Sequence, residues 1–183
     1  MYEINEHGEL RPSSKKLMSR IVCVEVIILF AALLLAMAYS TGGLPEDIPQ
    51  FAEQMFLVST ITISLSSAIM LFIVRWQANS GARVALMGLV FLLAGAFLLS
   101  QLYGFSSAYN FLKNNPAAMN IQLLYAVVGI HGVHVVGGIA LLLVLLIKVL
   151  IRRFNDDRNQ SLRLLEPYWH LLTLVWLVFW LIL

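Results

Sequence analysis

The feature that most constrains this chain is the length and purity of its apolar blocks. Five of them stand out, at about 20–40, 54–76, 84–104, 120–150 and 167–183. A helix of about 20 residues crosses the hydrocarbon of a bilayer. In hydrocarbon every backbone amide needs an internal partner, so blocks of this length must be helices rather than open strands. The spacing therefore predicts an all-α, polytopic membrane protein of five transmembrane helices, folded as a single membrane domain over 1–183. Composition agrees, with 60% hydrophobic and 12% charged residues, against roughly 25% charged in soluble proteins.

The breaks between blocks are polar or rich in helix breakers. "TGGLPEDIP" ends the first block, "QANSGAR" is a short turn after the second, and "FSSAYNFLKNNPAAMN" reads as a polar loop after the third. Basic residues followed by an apolar run and Ala36-Met37-Ala38 superficially resemble a cleavable signal. Glu25 inside the run argues against that, and the first block is read as a retained span. Cys23 is the one cysteine of the sequence, which excludes an intramolecular disulfide and a cysteine-based metal framework.

Charge sets the expected orientation. Arg11, Lys15, Lys16 and Arg20 precede the first block, Arg75 and Arg83 flank the second turn, and Lys148, Arg152, Arg153, Arg158 and Arg163 surround the last connection. Glu46, Asp47, Glu53 and Lys113 fall on the opposite side. By the positive-inside rule the N-terminus is cytoplasmic and the C-terminus periplasmic or outside. These cations serve topology, and no nucleic-acid partner is expected.

Few side chains offer chemistry. Glu25 lies about one turn beyond Arg20, where a carboxyl must be protonated, paired or wetted because ionisable groups are costly in hydrocarbon. It reads either as a proton-active or lipid-facing acid, or as an interhelical hydrogen-bonding group. In "YAVVGIHGVHVVGG", His131 and His134 stand three residues apart and share a helix face. Two imidazoles are too few for a metal centre, which needs at least three protein ligands. The other intramembrane imidazole is His170. Packing or a hydrogen-bond network is the favoured reading, with Gly129, Gly132, Gly137 and Gly138 letting a neighbour come close. Tyr168 and Trp169 sit where an interfacial aromatic belt belongs, Trp176 and Trp180 lie deeper, and Glu166, Tyr168 and His170 suit headgroups or a partner subunit. Ser59, Thr60, Thr62, Ser64, Ser66 and Ser67 suit close helix packing.

These residues also carry a resemblance. "GIHGVHVVGG" resembles the "GFHGLHVxxG" signature of heme–copper oxidase subunit III, and "YWHLLTLVWLVFW" resembles that family's closing "YWHFVDVVWLFLF" helix. "VEVIILFAALLLAMAY" is similar to its "SEVFFFAGFFWAFY" helix, and "LLSQLYGF" to its "FLxxQxxEY" segment. The matches run in family order, and five helices suit the short bacterial form that lacks the first two of seven.

The resemblance implies subunit III of an aerobic terminal oxidase, most simply a cytochrome c oxidase, with a quinol oxidase as the other donor type. It implies a cofactor-free accessory chain in the bacterial cytoplasmic membrane, multi-pass. Heme and copper lie in partner subunits, subunit I is the main contact, phospholipid is bound, and a supercomplex with the electron-donating complex is open. Glu25 matches the family's carbodiimide-reactive glutamate, His131 and His134 its paired histidines, and Trp169 with His170 its closing Trp-His. Gln101 is kept. Tyr168, Trp169, His170, Gln101 and the histidine pair form the expected polar and lipid-contact network. Thr173 and Gly104 replace a family Asp and Glu.

Two other functions compete. A heme b membrane anchor would use His131 or His134 with His170 as axial ligands. A small proton-coupled carrier would use Glu25, although no inverted repeat or broken helix supports it.

Overall fold

The computed structural model describes residues 2–4, 10–12, 14–40, 50–75, 80–114, 121–151 and 158–182. A short antiparallel hairpin pairs β1 (Tyr2–Ile4) with β2 (Leu10–Pro12). Five long helices follow: α1 (Ser14–Ser40), α2 (Gln50–Arg75), α3 (Ser80–Asn114), α4 (Ile121–Leu150) and α5 (Arg158–Ile182). All five are long and apolar enough to cross a membrane. Glu46, Asp47, Arg152 and Arg153, which contribute to the charge pattern, lie outside the described residues, as do residues 77–79 of the turn after the second block and the end of the loop after the third; the rest of that turn, from Ser80, is the start of α3.

Helices α3 and α5 extend furthest beyond the blocks that hydropathy predicts. The segment from Phe105 to Asn114, expected as loop, continues α3. It contains no glycine or proline, and Phe105 and Ala108 are buried against the bundle, so nothing stops the helix before the asparagines. Helix α5 begins at Arg158, nine residues before the apolar block, because Leu162 and Leu165 bury one face of its first turns. Pro167 then falls inside the helix. Its ring nitrogen cannot donate to the preceding turn, a defect that membrane helices absorb when neighbours supply partners. Ser19 on α1 donates to the Leu164 carbonyl at 3.1 Å, which ties α1 to this turn.

Helix α5 is the hub. It packs on α1, α2 and α4, while α3 packs on α2 and α4, so α2, α3, α4 and α5 close a ring with α1 against the α4–α5 side. Trp169 and Trp176, two turns apart on one face of α5, are both fully buried and belong to different core clusters. Around Trp176 gather Phe56, Phe97, Phe105 and Phe179. Around Trp169 gather Met70, Met87, Leu142, Leu145, Leu162 and Leu165. The outer surface is apolar too, with Ile28, Leu92, Leu102 and Val133 well exposed. Exposed apolar side chains suit hydrocarbon, where helix association rests on close packing and interhelical hydrogen bonds rather than on the hydrophobic effect.

Candidate functional site

The hydroxyl-rich α2 supplies those bonds. Ser59 and Ser100 of α3 share a hydrogen bond of 2.8 Å between their hydroxyls. Thr60 accepts from the Trp176 indole N–H at 3.1 Å, and Ser66 accepts from that of Trp169 at 3.2 Å. Ser67 is bonded to His170 Nδ1 at 2.5 Å, and Glu166, one turn earlier, lies 3.8 Å from His170 Nε2. Small side chains on α2 thus meet one polar atom of each of three rings on α5, one rung after another along the helix pair, while His170 Nε2 has no hydrogen-bond partner among the described residues.

This ladder corrects the reading of Trp169 as an interfacial belt residue. Trp169 and Trp176 are core residues, admitted because α2 offers a hydroxyl to each and α4 offers Gly138 to Trp169. A Cβ on Gly138 would stand 3.1 Å from Trp169 Cζ3 and 3.3 Å from Tyr168 Cε1. Gly137 is looser, with only the Tyr168 hydroxyl at 4.0 Å, whereas Gly129 and Gly132 have no atom within 4 Å of where a Cβ would stand. Of the four glycines, then, Gly138 takes the close approach of α5, while Gly129 and Gly132 face open space.

The two histidines of α4 have separate surroundings. His131 is 3% exposed and sits among rings from three other helices. It stacks on Trp176 at 6.0 Å between centroids, with Phe30 and Phe97 edge-on at 5.8 Å each. Neither of its nitrogens has a hydrogen-bond partner among the described residues. His134 is half-buried, bonds through Nδ1 to the Ile130 carbonyl at 2.7 Å, and meets Phe30 at 5.4 Å. Tyr168 completes the link between helices by donating to the His134 carbonyl at 2.9 Å. The hydrogen-bond network expected of the pair is therefore confined to His134, and His131 is held by ring contacts.

His170 faces α2, six residues from the Trp176 that covers His131, or about 9 Å along α5. The structure does not bring these imidazoles together as an axial pair. Among the described residues no three His, Cys, Asp or Glu side chains form a group able to hold a metal ion. Glu25 lies on the exposed face of α1 and has no hydrogen-bond or ion-pair partner among the described residues. Gln101 is 6% exposed, with both amide atoms unpartnered among the described residues.

The two departures from the oxidase pattern have local explanations. A Cβ on Gly104 would lie 3.0 Å from Met55 Cβ and 3.0 Å from Phe56 Cε1, so the close α2–α3 approach leaves no room for a glutamate. Thr173 is buried and returns its hydroxyl to the Trp169 carbonyl at 3.1 Å, where an ionised Asp would have nothing to accept from that oxygen.

Residues 20–183 match the family described as cytochrome c oxidase subunit III. The chain belongs to that family. Curated relatives are distant but extensive. Cytochrome bo(3) ubiquinol oxidase subunit 3 of Pseudomonas aeruginosa is 27% identical over 159 residues, covering 85% of this chain and 75% of the relative. Cytochrome c oxidase subunit 3 of Bacillus subtilis is 26% identical over 155 residues, covering 81% and 75%. The probable quinol oxidase subunit 3 of Staphylococcus saprophyticus is 26% identical over 129 residues, covering 69% and 64%. A subunit III of a heme–copper oxidase is a multi-pass component of a larger complex, and this reading is favoured over a heme b anchor.

Proposed function

We propose that this chain is the cofactor-free accessory subunit of an aerobic terminal oxidase in a bacterial cytoplasmic membrane, with its N-terminus in the cytoplasm. Heme and copper reside in partner subunits, and subunit I is the principal contact. The supporting observation is the combination of a family match over residues 20–183 with imidazoles that are each engaged separately: His131 by rings, His134 by its own helix, His170 by Ser67. Such an interior suits a scaffold better than a redox centre.

In this reading the unpartnered Glu25 on the outer face of α1 meets a neighbouring subunit, lipid or water, because a bare carboxyl in hydrocarbon is too costly to leave alone. Its place about one turn beyond Arg20 puts it near the cytoplasmic surface, where protons are taken up. Phospholipid covers the exposed apolar faces. Cytochrome c is the favoured donor to the complex, with quinol as the other. The test is Glu25→Gln in the assembled oxidase. Heme content stays unchanged while proton uptake slows, or activity decays sooner during turnover. Loss of the hemes from the complex would instead make Glu25 an assembly residue and sink the proton-side role.

A further inference from the structure

One rung of the α2–α5 ladder differs from the others, because both of its α5 members can ionise. Glu166 and His170 stand one turn apart, with Glu166 Oε1 3.8 Å from His170 Nε2. Ser67 of α2 engages the other ring nitrogen. Nε2 itself is buried and has no hydrogen-bond partner among the described residues, so Glu166 is the polar group it faces.

Two helices fix the depth of this contact. His170 is next to the midpoint of the apolar span Ser161–Leu181, and Ser67 lies about 7 Å from that of Gln50–Arg75. Glu166 lies about 8 Å from the midpoint of its own span. Hydrocarbon reaches about 15 Å to either side of the bilayer centre, so all three side chains fall within it. The His170 and Glu166 side chains are 34% and 17% exposed, and the pair opens sideways from the bundle.

No counter-charge pairs with it. Arg163, one turn before Glu166 on α5, is exposed and forms no ion pair with it among the described residues. On α2 the charge nearest to Ser67 is Arg75, about 12 Å further along the helix. Helix α1 meets α5 at Leu164 and Val175, and α4 meets it at Tyr168 and Trp169. Cys23, Glu25 and His134, the ionisable groups of those helices nearest in depth, therefore face other sides of α5.

An ionised Glu166 beside a neutral imidazole leaves a net negative charge in hydrocarbon, and a neutral acid beside an imidazolium leaves a positive one. Each is costly there. With one proton between them the pair is neutral, either as acid and imidazole or as carboxylate and imidazolium. A rotation of the Glu166 side chain then closes the gap to a hydrogen bond and gives Nε2 the partner it lacks. We infer that Glu166 and His170 form an intramembrane proton-binding site, in which the two hold one proton as a neutral pair and Ser67 fixes the ring against α2. The site stands on α2 and α5 alone and does not depend on the accessory-subunit reading.

In an unfolded chain above about pH 6.5 a glutamate is ionised and a histidine neutral, so the folded chain binds one proton more. Its stability is full near that pH and falls as pH rises, by about tenfold in the folding equilibrium per pH unit for one proton. Reversible unfolding of the full chain in mixed micelles, from about pH 7 to about pH 9, compares the parent with Glu166→Gln, whose amide keeps the pair neutral. The parent is expected to lose about tenfold per pH unit relative to the variant, and the variant to fold at least as well at the alkaline end. In bilayers at about pH 8.5 the infrared difference between the two should show a protonated-carboxyl stretch or an imidazolium mode belonging to the parent. Parallel pH profiles, a Glu166→Gln chain that does not fold, or a carboxylate band with no imidazolium mode would overturn the proposal.

Discussion

Replacing Gly138 by alanine places a methyl 3.1 Å from Trp169 Cζ3, 3.3 Å from Tyr168 Cε1 and 3.4 Å from Trp169 Cε3. Carbon atoms at rest sit about 3.5–4.0 Å apart, so the Trp169 ring must retreat by a few tenths of an ångström. It has little freedom to do so, being buried among Leu142, Leu165 and Met87 and tied to Ser66. Overpacking of this kind costs about 1–3 kcal/mol. Alanine also gains up to about 1 kcal/mol of helix propensity over glycine, which would blur the result if Gly138 were changed alone. Gly132, on the same helix, is the internal control: the same substitution there brings the same propensity and meets no atom within 4 Å. The difference between the two variants therefore isolates the contact with α5. Unfolding of the purified chain in mixed micelles by a graded denaturing detergent, followed by tryptophan fluorescence, should show Gly138→Ala less stable than Gly132→Ala by about 1–3 kcal/mol. Equal stabilities, or a more stable Gly138→Ala, would refute the claim that α4 and α5 meet closely at this glycine.

The α2–α5 ladder predicts coupling between Ser66 and Trp169: a double-mutant cycle of Ser66→Ala and Trp169→Phe should return about 0.6–1.7 kcal/mol, the range for hydrogen bonds within membranes, and a coupling near zero would remove that rung. Gly104→Glu should lower the yield of folded chain sharply, because Phe56 occupies the space; recovery of normal yield would show that α2 can move aside. His131→Leu should unfold within about 1 kcal/mol of the parent in the same assay. It gives up ring contacts worth about 0.5–1.5 kcal/mol but removes two unsatisfied nitrogens, and a loss of several kcal/mol would reveal a bond that His131 makes.

Hydropathy alone identifies the five spans, because hydrocarbon leaves a helix as the one way to satisfy a backbone of such composition. It places the ends of α3 and α5 poorly. Both extensions are held by sparse buried side chains, Phe105 and Ala108 in one case and Leu162 and Leu165 in the other, set among polar residues that make the segments read as loop. The hydroxyls of α2 are legible as packing groups, whereas their partners are not. Trp169 looks like a belt residue, and Trp176 merely a deeper one, until the small groups opposite them are known. The seven-residue spacing of those tryptophans, set against Gly138 and the Ser66–Ser67 pair, is the signal that points inward. His131 shows the reverse limit: its glycines suggest a close neighbour, yet Gly129 and Gly132 leave a cleft, since which face a glycine presents depends on how α4 is rotated in the bundle.

The proposed role as a cofactor-free part of an oxidase is open to direct test. Affinity purification of the tagged chain from its native membranes in mild detergent, with mass spectrometry and a reduced-minus-oxidised visible spectrum, tests it directly. The heme- and copper-bearing oxidase subunits should co-purify, with the heme signal leaving the chain when the complex is dissociated. Purification without those subunits, or a stoichiometric heme retained by the isolated chain, would contradict it.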